Sequence, residues 1–331
     1  EVWNSDKYKK TRKMFLNGTY PEECTVCYEL EKNGQSSHRE RINHKYKRYQ
    51  RLQNKTNEDG SLSSPPVYLD FRFGNLCNFR CRMCGPDAST SWFKEKHLSP
   101  HYVNSTKPGQ DHWTKNDEFW QDMVKIYHNI DTIYFAGGEP FVQDGHYKML
   151  EFLISKGKTD VELQYNTNLS YRTHKKYNIK QLWDNFANVK VWPSIDGYGK
   201  RAEYSRKGLD WDVFAENVKL FKNRIETFSV VGSIYTISTN IKLINWIKSQ
   251  GLTFHITNLT SPIWLDSCVL PKESKAKINE EYKTYLKSKY QFFTDYELKN
   301  ILDSLRHMNR ADNTHLLEKF KTFTTGLDLY R

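Results

Sequence analysis

Cys77, Cys81 and Cys84 share one eight-residue run, Cys77-Asn-Phe-Arg-Cys81-Arg-Met-Cys84. Three thiolates on so short a loop can converge on one metal centre. The flanking Gly74 and Gly85-Pro86 let the backbone wrap closely around it. A structural zinc site prefers four closed ligands, and the run holds no fourth Cys or His. A [4Fe–4S] cluster on three thiolates instead leaves one iron open to another ligand. The rival reading is three structural or zinc-bound cysteines. Cys24 and Cys27 form a separate C-x-x-C, which fits an iron–sulfur ligand pair, a redox dithiol or a zinc half-site. Cys268 stands alone. Burial is its default, with hydrogen-atom donation or metal ligation as alternatives. Five of six cysteines in tight clusters, with no signal peptide visible, read as metal ligands in a reducing, cytoplasmic compartment.

Other polar groups sit where strands end. Gly137-Gly138-Glu139-Pro140 closes a strand-like run from Thr132, Asn166-Thr167-Asn168 closes one from Val161, and Ser194-Ile195-Asp196-Gly197 closes one from Val189. Arg206 follows in Glu-Tyr-Ser-Arg-Lys-Gly. Taken singly, each has an ordinary explanation: a turn, a helix cap at Asp196, a surface arginine.

The elements that must carry these groups alternate. Strands are predicted at 67–74, 132–140, 161–168, 189–197, 228–238 and 252–260. Helices are predicted near 88–96, 147–157, 175–185, 211–223 and 241–249. That order predicts right-handed parallel β/α units. Six of them suggest a partial (β/α)6 TIM-like barrel, although periodicity alone does not give curvature. Loops after parallel strands gather at one mouth of a barrel. Before the barrel lies a helix over 7–17, a turn carrying Cys24 and Cys27, a basic helical stretch to about 55, and a Gly/Ser/Pro-rich linker at 56–66. The expected organisation is therefore 1–60, a C-x-x-C segment with its basic linker; 61–265, the barrel core; and 266–331, a charged helical extension.

Composition narrows the classes. The 331 residues carry 50 Lys and Arg against 39 Asp and Glu, a net charge of +11. Aromatic residues make up 15%, which argues against wholesale disorder. No run of about 18 apolar residues exists, so no membrane helix is expected. The segment Arg39 to Lys55 concentrates positive charge. A solvated helix is its plainer reading, and a phosphate-binding patch the alternative.

With these motifs in place, the chain resembles the radical S-adenosylmethionine (radical SAM) enzymes. Their CxxxCxxC loop after the first barrel strand matches Cys77, Cys81 and Cys84, and their GGEP turn matches Gly137, Gly138, Glu139 and Pro140. The resemblance implies a [4Fe–4S] cluster on the three cysteines, with SAM chelating the open iron. It implies that the GGEP turn grips the SAM amino group, and that Asn166, Asn168, Ser194 and Asp196 are SAM contacts. It also implies that Arg206 lies near the SAM carboxylate. The residue before the last cysteine is usually aromatic in the family. Here it is Met83, whose thioether can still pack near the adenine. Trp3-Asn4-Ser5, Arg12, Gly18, Pro21, Cys24, Cys27, Glu29, Gly34, Ser37 and Arg39 resemble the end of a SPASM or twitch module, which binds auxiliary iron–sulfur clusters. Cys24 and Cys27 would then be two ligands, with the others upstream of Glu1.

The implied activity is reductive cleavage of SAM to a 5′-deoxyadenosyl radical and hydrogen abstraction from a substrate, with an electron donor such as flavodoxin or ferredoxin. The SPASM/twitch resemblance favours a peptide or protein substrate. RNA modification is the first alternative, given the charge. A non-catalytic iron–sulfur or zinc protein is the second, against which the intact GGEP speaks. A bulky residue at Gly138 is expected to weaken SAM binding, because backbone must approach the ligand there.

Overall fold

The computed structural model describes residues 2–32, 37–95 and 112–329. Two compact units divide the chain: one of 1–67 with 128–130, the other of 68–127 with 131–331.

In the first unit, α1 (Asp6–Leu16), α2 (Thr25–Lys32) and α3 (His38–Lys45) precede a 3-10 run over Lys47–Lys55. Ser37 and Glu40 form a capping box at the start of α3. The 56–66 segment is not a free linker. Thr56 bridges Leu62 antiparallel around a turn in which the Asp59 carboxylate accepts from the Ser61 amide. The turn is tied to the N-terminus: Trp3 Nε1 donates to the Ser64 carbonyl at 2.8 Å and Asn4 exchanges two bonds with Leu62. Arg12 donates to the Gly60 and Trp3 carbonyls and lies over the Trp3 ring. Asn, Asp, Gly and Ser here build a tight turn, and the same composition reads as a linker in sequence. Gly34, in the SPASM-like pattern, lies outside the described residues. So does Lys96, the end of the helix expected from 88.

The second unit is built on parallel strands: β1 (Tyr68–Arg72), β2 (Thr132–Ala136), β3 (Glu162–Thr167), β4 (Asn188–Pro193), β5 (Phe228–Gly232) and β6 (Phe254–Asn258). The first four form one sheet in that order, and β5 pairs with β6. Parallel bridges Val191–Ile225 and Ser194–Ser229 link the β4 segment to that of β5. This is the partial TIM-like architecture. Between strands run α4 (Asp117–Ile126), α5 (Asp144–Ser155), α6 (Ile179–Trp183), α7 (Lys200–Ser205), α8 (Trp211–Phe221) and α9 (Asn240–Ser249). Then come α10 (Lys272–Lys289), α11 (Asp295–Asn309) and α12 (Leu317–Leu329). No helix among the described residues is long and apolar enough to cross a membrane.

Alternate strand residues Ile133, Phe135, Leu163, Tyr165, Val191, Phe228 and Val230 are buried, as are Leu150, Leu153, Val218, Leu243 and Ile247 on the helices. Each such side chain contributes roughly 1.5–3 kcal/mol on burial. Three local expectations change. The strand from 228 stops at Gly232, because the Thr236 hydroxyl accepts from the Ser233 amide and donates to the Val231 carbonyl, turning the chain. The helix near 175–185 starts only at Ile179, after a two-residue hairpin pairing Thr173–His174 with Tyr177–Asn178. The 88–96 helix is a 3-10 turn, Thr90–Lys94.

His146 lies wholly inside this core, its Nε2 3.0 Å from the Tyr165 hydroxyl. Burial lowers its pKa to about 3. The folded state therefore keeps His146 neutral while the unfolded chain protonates near pH 6.5. Stability from this group is present above 6.5 and lost as pH falls toward 3, about 2 kcal/mol by pH 5. Thermal melts should show a shallower acid decline in His146→Gln than in the wild type. Parallel declines would show that this site does not set the acid limb.

Candidate functional site

The cysteine run leaves β1 and folds back on itself. Ser91 Oγ donates to the Cys77 carbonyl at 2.7 Å, Trp92 Nε1 to the Cys81 carbonyl at 3.1 Å, and the Cys84 amide to the Cys81 carbonyl at 3.1 Å. Arg80–Cys81 pairs antiparallel with Arg206–Lys207. Cys77, Cys81 and Cys84 line one cavity of about 410 Å³ with Gly137, Gly138, Glu139, Asn166, Asn168, Ser194 and Arg206. Cys77 and Arg206, 129 positions apart in sequence, thus meet at the C-terminal ends of β1 to β4.

The GGEP turn is sewn to the cysteine run. The Gly138 amide donates to the Gly74 carbonyl at 2.9 Å, and the Glu139 amide to the Leu76 carbonyl at 2.8 Å. Gly137 has φ +112°, a backbone that suits glycine. A Cβ on Gly138 would stand 2.2 Å from the Leu76 carbonyl oxygen. The space that glycine preserves here includes the contact between two loops of the chain, and Gly138 also lines the cavity.

The Glu139 carboxylate is buried and fully engaged. It accepts from the Phe141 amide at 3.1 Å, the Thr167 hydroxyl at 2.6 Å and the Asn168 amide at 2.7 Å. Burial raises its pKa to about 7, against the pull of these donors. Asn168 Nδ2 donates to Asn78 Oδ1 at 2.9 Å, tying β3 to the middle of the cysteine run. Asp196 is buried behind the cavity rather than lining it. It accepts from the Val231 amide at 2.8 Å and pairs with Arg206 Nη2 at 2.6 Å. Arg206 Nη1 lies 3.8 Å from Cys81 Sγ, and its Nε is buried without a partner. Burial opposes the Arg206 charge, but Asp196 and then Cys81 and Cys84 outweigh it and raise its pKa. Pro140 is buried at the start of a 3-10 turn and does not line the cavity.

Met83 is placed differently from the expectation of packing near an adenine. Its side chain joins an apolar cluster with Trp92, Ile234, Tyr235, Phe323 and Leu327, and it is not among the residues lining the cavity. Sequence reasoning missed Asn78, Thr167, Arg72 and Tyr134. The first two lie inside motifs already singled out, one within the cysteine spacer and one between Asn166 and Asn168. Arg72 and Tyr134 line the cavity from β1 and β2, and only the strand register, which no local pattern supplies, brings them onto the face of Asn166.

The donor set suits a polynuclear centre. Burial, then Cys81 and Glu139, pushes the Cys77 thiol up to about 12. Cys84 is also raised, by its bond to Cys81 and by burial. Buried thiols this close become thiolates together only when multivalent cations join them. Among the described residues, three ligand atoms of His, Cys, Asp or Glu come within 4.8 Å of one another only at Asp266, Cys268 and His307.

Cys24 ends a 3-10 turn, and Cys27 lies in the first turn of α2 rather than in an irregular turn. Both are half-buried. Cys268 is buried and donates to the His307 carbonyl at 3.1 Å. Asp266 beside it accepts from the Cys268 amide and His307 and pairs with Arg310, so these polar groups already satisfy one another.

Residues 71–247 match the radical SAM superfamily, and the chain belongs to it. Membership brings a [4Fe–4S] cluster and SAM as cofactors. No curated protein matches the chain. Among solved structures, it is similar to Streptococcus suis SuiB bound to S-adenosylmethionine, at 15% identity and TM-score 0.45, covering 74% of this chain and 50% of that one. SuiB bound to precursor peptide SuiA gives 14%, 0.44, 81% and 59%. TYW1 with a lysine-pyruvate adduct bound gives 10%, 0.31, 66% and 70%. The chain thus spans between half and three-fifths of the SuiB chains.

The loop-to-loop contact yields a test that needs no cofactor. Gly138→Val should lower the melting temperature of the metal-free protein by several degrees, since overpacking against backbone costs about 1–3 kcal/mol. It should also cut iron uptake after anaerobic reconstitution. A variant that melts like the wild type would show that the two loops are not in contact there.

Proposed function

We propose that the protein is a radical SAM enzyme acting on a peptide or protein. The observation that carries it is the convergence of three thiols, one buried and two half-buried, with Gly137, Gly138, Glu139 and Arg206 on one cavity. Cys77, Cys81 and Cys84 would hold the cluster. Gly137, Gly138, Glu139, Asn166, Asn168, Ser194 and Arg206 would take SAM, with Asp196 fixing Arg206 and Pro140 shaping the turn. When bound, a [4Fe–4S] cluster with SAM on its open iron supplies one-electron cleavage of the sulfonium C–S bond, and the 5′-deoxyadenosyl radical so formed abstracts hydrogen from the substrate. The chain itself keeps water out and holds its polar groups fixed in advance. Glu139, already saturated with donors, holds the strand ends. Arg206, whose charge lines the cavity, would attract an anionic group there.

The sheet face that carries the cavity supports a peptide over RNA. Arg72, Tyr134 and Asn166 line the cavity, and by register and alternation Asp70, Glu162, Gln164 and Lys190 share their face. Both cations there are paired, Arg72 with Asp70 and Lys190 with Glu162, each at 3.2 Å. A neutral floor offers a polyanion no electrostatic gain. Cys24 and Cys27, three residues apart at the head of α2, are proposed ligands of an auxiliary centre. On this reading 1–60 is a SPASM/twitch-like segment, 61–265 the core and 266–331 a helical extension, and flavodoxin or ferredoxin supplies electrons.

Two measurements test this. Anaerobically reconstituted protein should bind a [4Fe–4S] cluster and release 5′-deoxyadenosine from SAM with dithionite. Changing Cys77, Cys81 and Cys84 together to Ala should abolish both. Stoichiometric zinc at the loop, or a triple variant that keeps all of the wild-type iron, would refute the assignment. Peptide and RNA pools compared for faster 5′-deoxyadenosine release decide the substrate class. Separately, Cys24→Ser with Cys27→Ser should lower iron per chain while leaving the EPR shift on SAM addition intact. Unchanged iron would remove the auxiliary centre.

A further inference from the structure

The cysteine run is gripped from a direction that the catalytic motifs do not explain. Arg82, between the second and third cysteines, is buried. Its amide and Nε donate to the carbonyls of Ser205 and Tyr204 at 2.8 and 2.9 Å. Its guanidinium lies 3.6 Å from the Tyr204 ring centroid and forms an ion pair with Asp328, at the C-terminal end of α12. The Tyr204 hydroxyl donates to the same Asp328 carboxylate at 3.2 Å. The next residue, Met83, packs with Phe323 and Leu327 of α12. Trp92, which donates to the Cys81 carbonyl, stacks on Phe323 at 6.4 Å. The Tyr235 hydroxyl meets Thr324 Oγ1 at 2.6 Å. Phe323, Leu327 and Asp328 of α12 thus bear on Arg82 and Met83, between Cys81 and Cys84, and all three lie beyond the 71–247 span that matches the superfamily.

We propose that α12 is a clamp on the cluster loop, with Asp328 as a positioning residue that acts through Arg82 on Cys81 and Cys84. The proposal rests on the assignment of the cluster to this loop. A buried guanidinium without its carboxylate is costly, and the cheapest relief is to open the loop that carries it. Opening moves Cys81 and Cys84 away from Cys77, which is held separately through Ser91 Oγ. The clamp therefore sets how long the loop keeps iron. A helix that merely added stability would affect every buried cysteine alike.

The test uses the full chain as Asp328→Asn, Asp328→Glu and Phe323→Leu, with Tyr282→Phe as a control. Tyr282 loses a buried hydrogen bond to the Ile237 carbonyl, away from the loop. In metal-free protein, iodoacetamide labelling is followed cysteine by cysteine. Asp328→Asn should label Cys81 and Cys84 about tenfold faster than the wild type, with Cys268 unchanged. Asp328→Glu should return toward the wild-type rate, and Tyr282→Phe should match it. In reconstituted protein, Asp328→Asn should lose iron to a chelator about tenfold faster. Wild-type labelling in Asp328→Asn, or equal acceleration at Cys268, overturns the clamp. Faster labelling with unchanged iron loss overturns its role in holding the cluster. If Asp328→Asn does not fold, Phe323→Leu carries the same comparison. If the wild type takes up no cluster, the cluster assignment fails, and the labelling alone decides the clamp.

Discussion

The buried Glu139 carboxylate is the point on which the mouth of the sheet depends. A carboxylate taken out of water costs several kcal/mol, and it is tolerated only where donors replace the water. Here the replacements are the Phe141 amide, the Thr167 hydroxyl and the Asn168 amide. They come from two chain segments, so satisfying one charge joins the ends of β2 and β3. The backbone of the same residue donates to the Leu76 carbonyl and joins the cysteine run as well. One residue therefore fixes three strand ends before any ligand arrives. That rigidity is what a site for reactive chemistry requires, because groups fixed in advance need not reorganise during the reaction.

Arg206 repeats this logic on the opposite side. Its charge is buried, paired with Asp196 and set near Cys81. Asp196 is held in turn by the Val231 amide of β5. The ion pair thus carries positional information from the fifth strand to the cysteine run. Between them, Glu139 and Arg206 place the loop from two sides, and Arg82 places it from a third.

What could be read in advance follows from sequence distance. The six strands are legible because alternation and terminal polar clusters are local signals. The cysteine run and the GGEP turn are legible because their ligands lie within a few residues of one another. The contact of Gly138 with Leu76 is not, since glycine looks the same whether it faces a ligand or a neighbouring loop. The Arg82–Asp328 pair spans 246 residues, and no local pattern marks either partner. The motif position of Met83 points to a ligand, whereas its burial is decided by the C-terminal helix that covers it. At 56–66 turn and linker share a composition, and only the contacts of Trp3, Asn4 and Arg12 distinguish them.

Charge is distributed in a way that the total conceals. The chain carries +11, yet the sheet face beside the cavity pairs its cations with Asp70 and Glu162. Arg206, which lines the cavity, and Arg82, within the cysteine run, are spent on Asp196 and Asp328. The excess therefore does not lie on the floor beside the cavity. A substrate recognised by that floor must meet paired charges of both signs and the phenol of Tyr134. A polypeptide, with its alternating donors and acceptors, can do so without desolvating an unpaired charge. A phosphodiester chain would have to bring its own counterions or break the pairs already made.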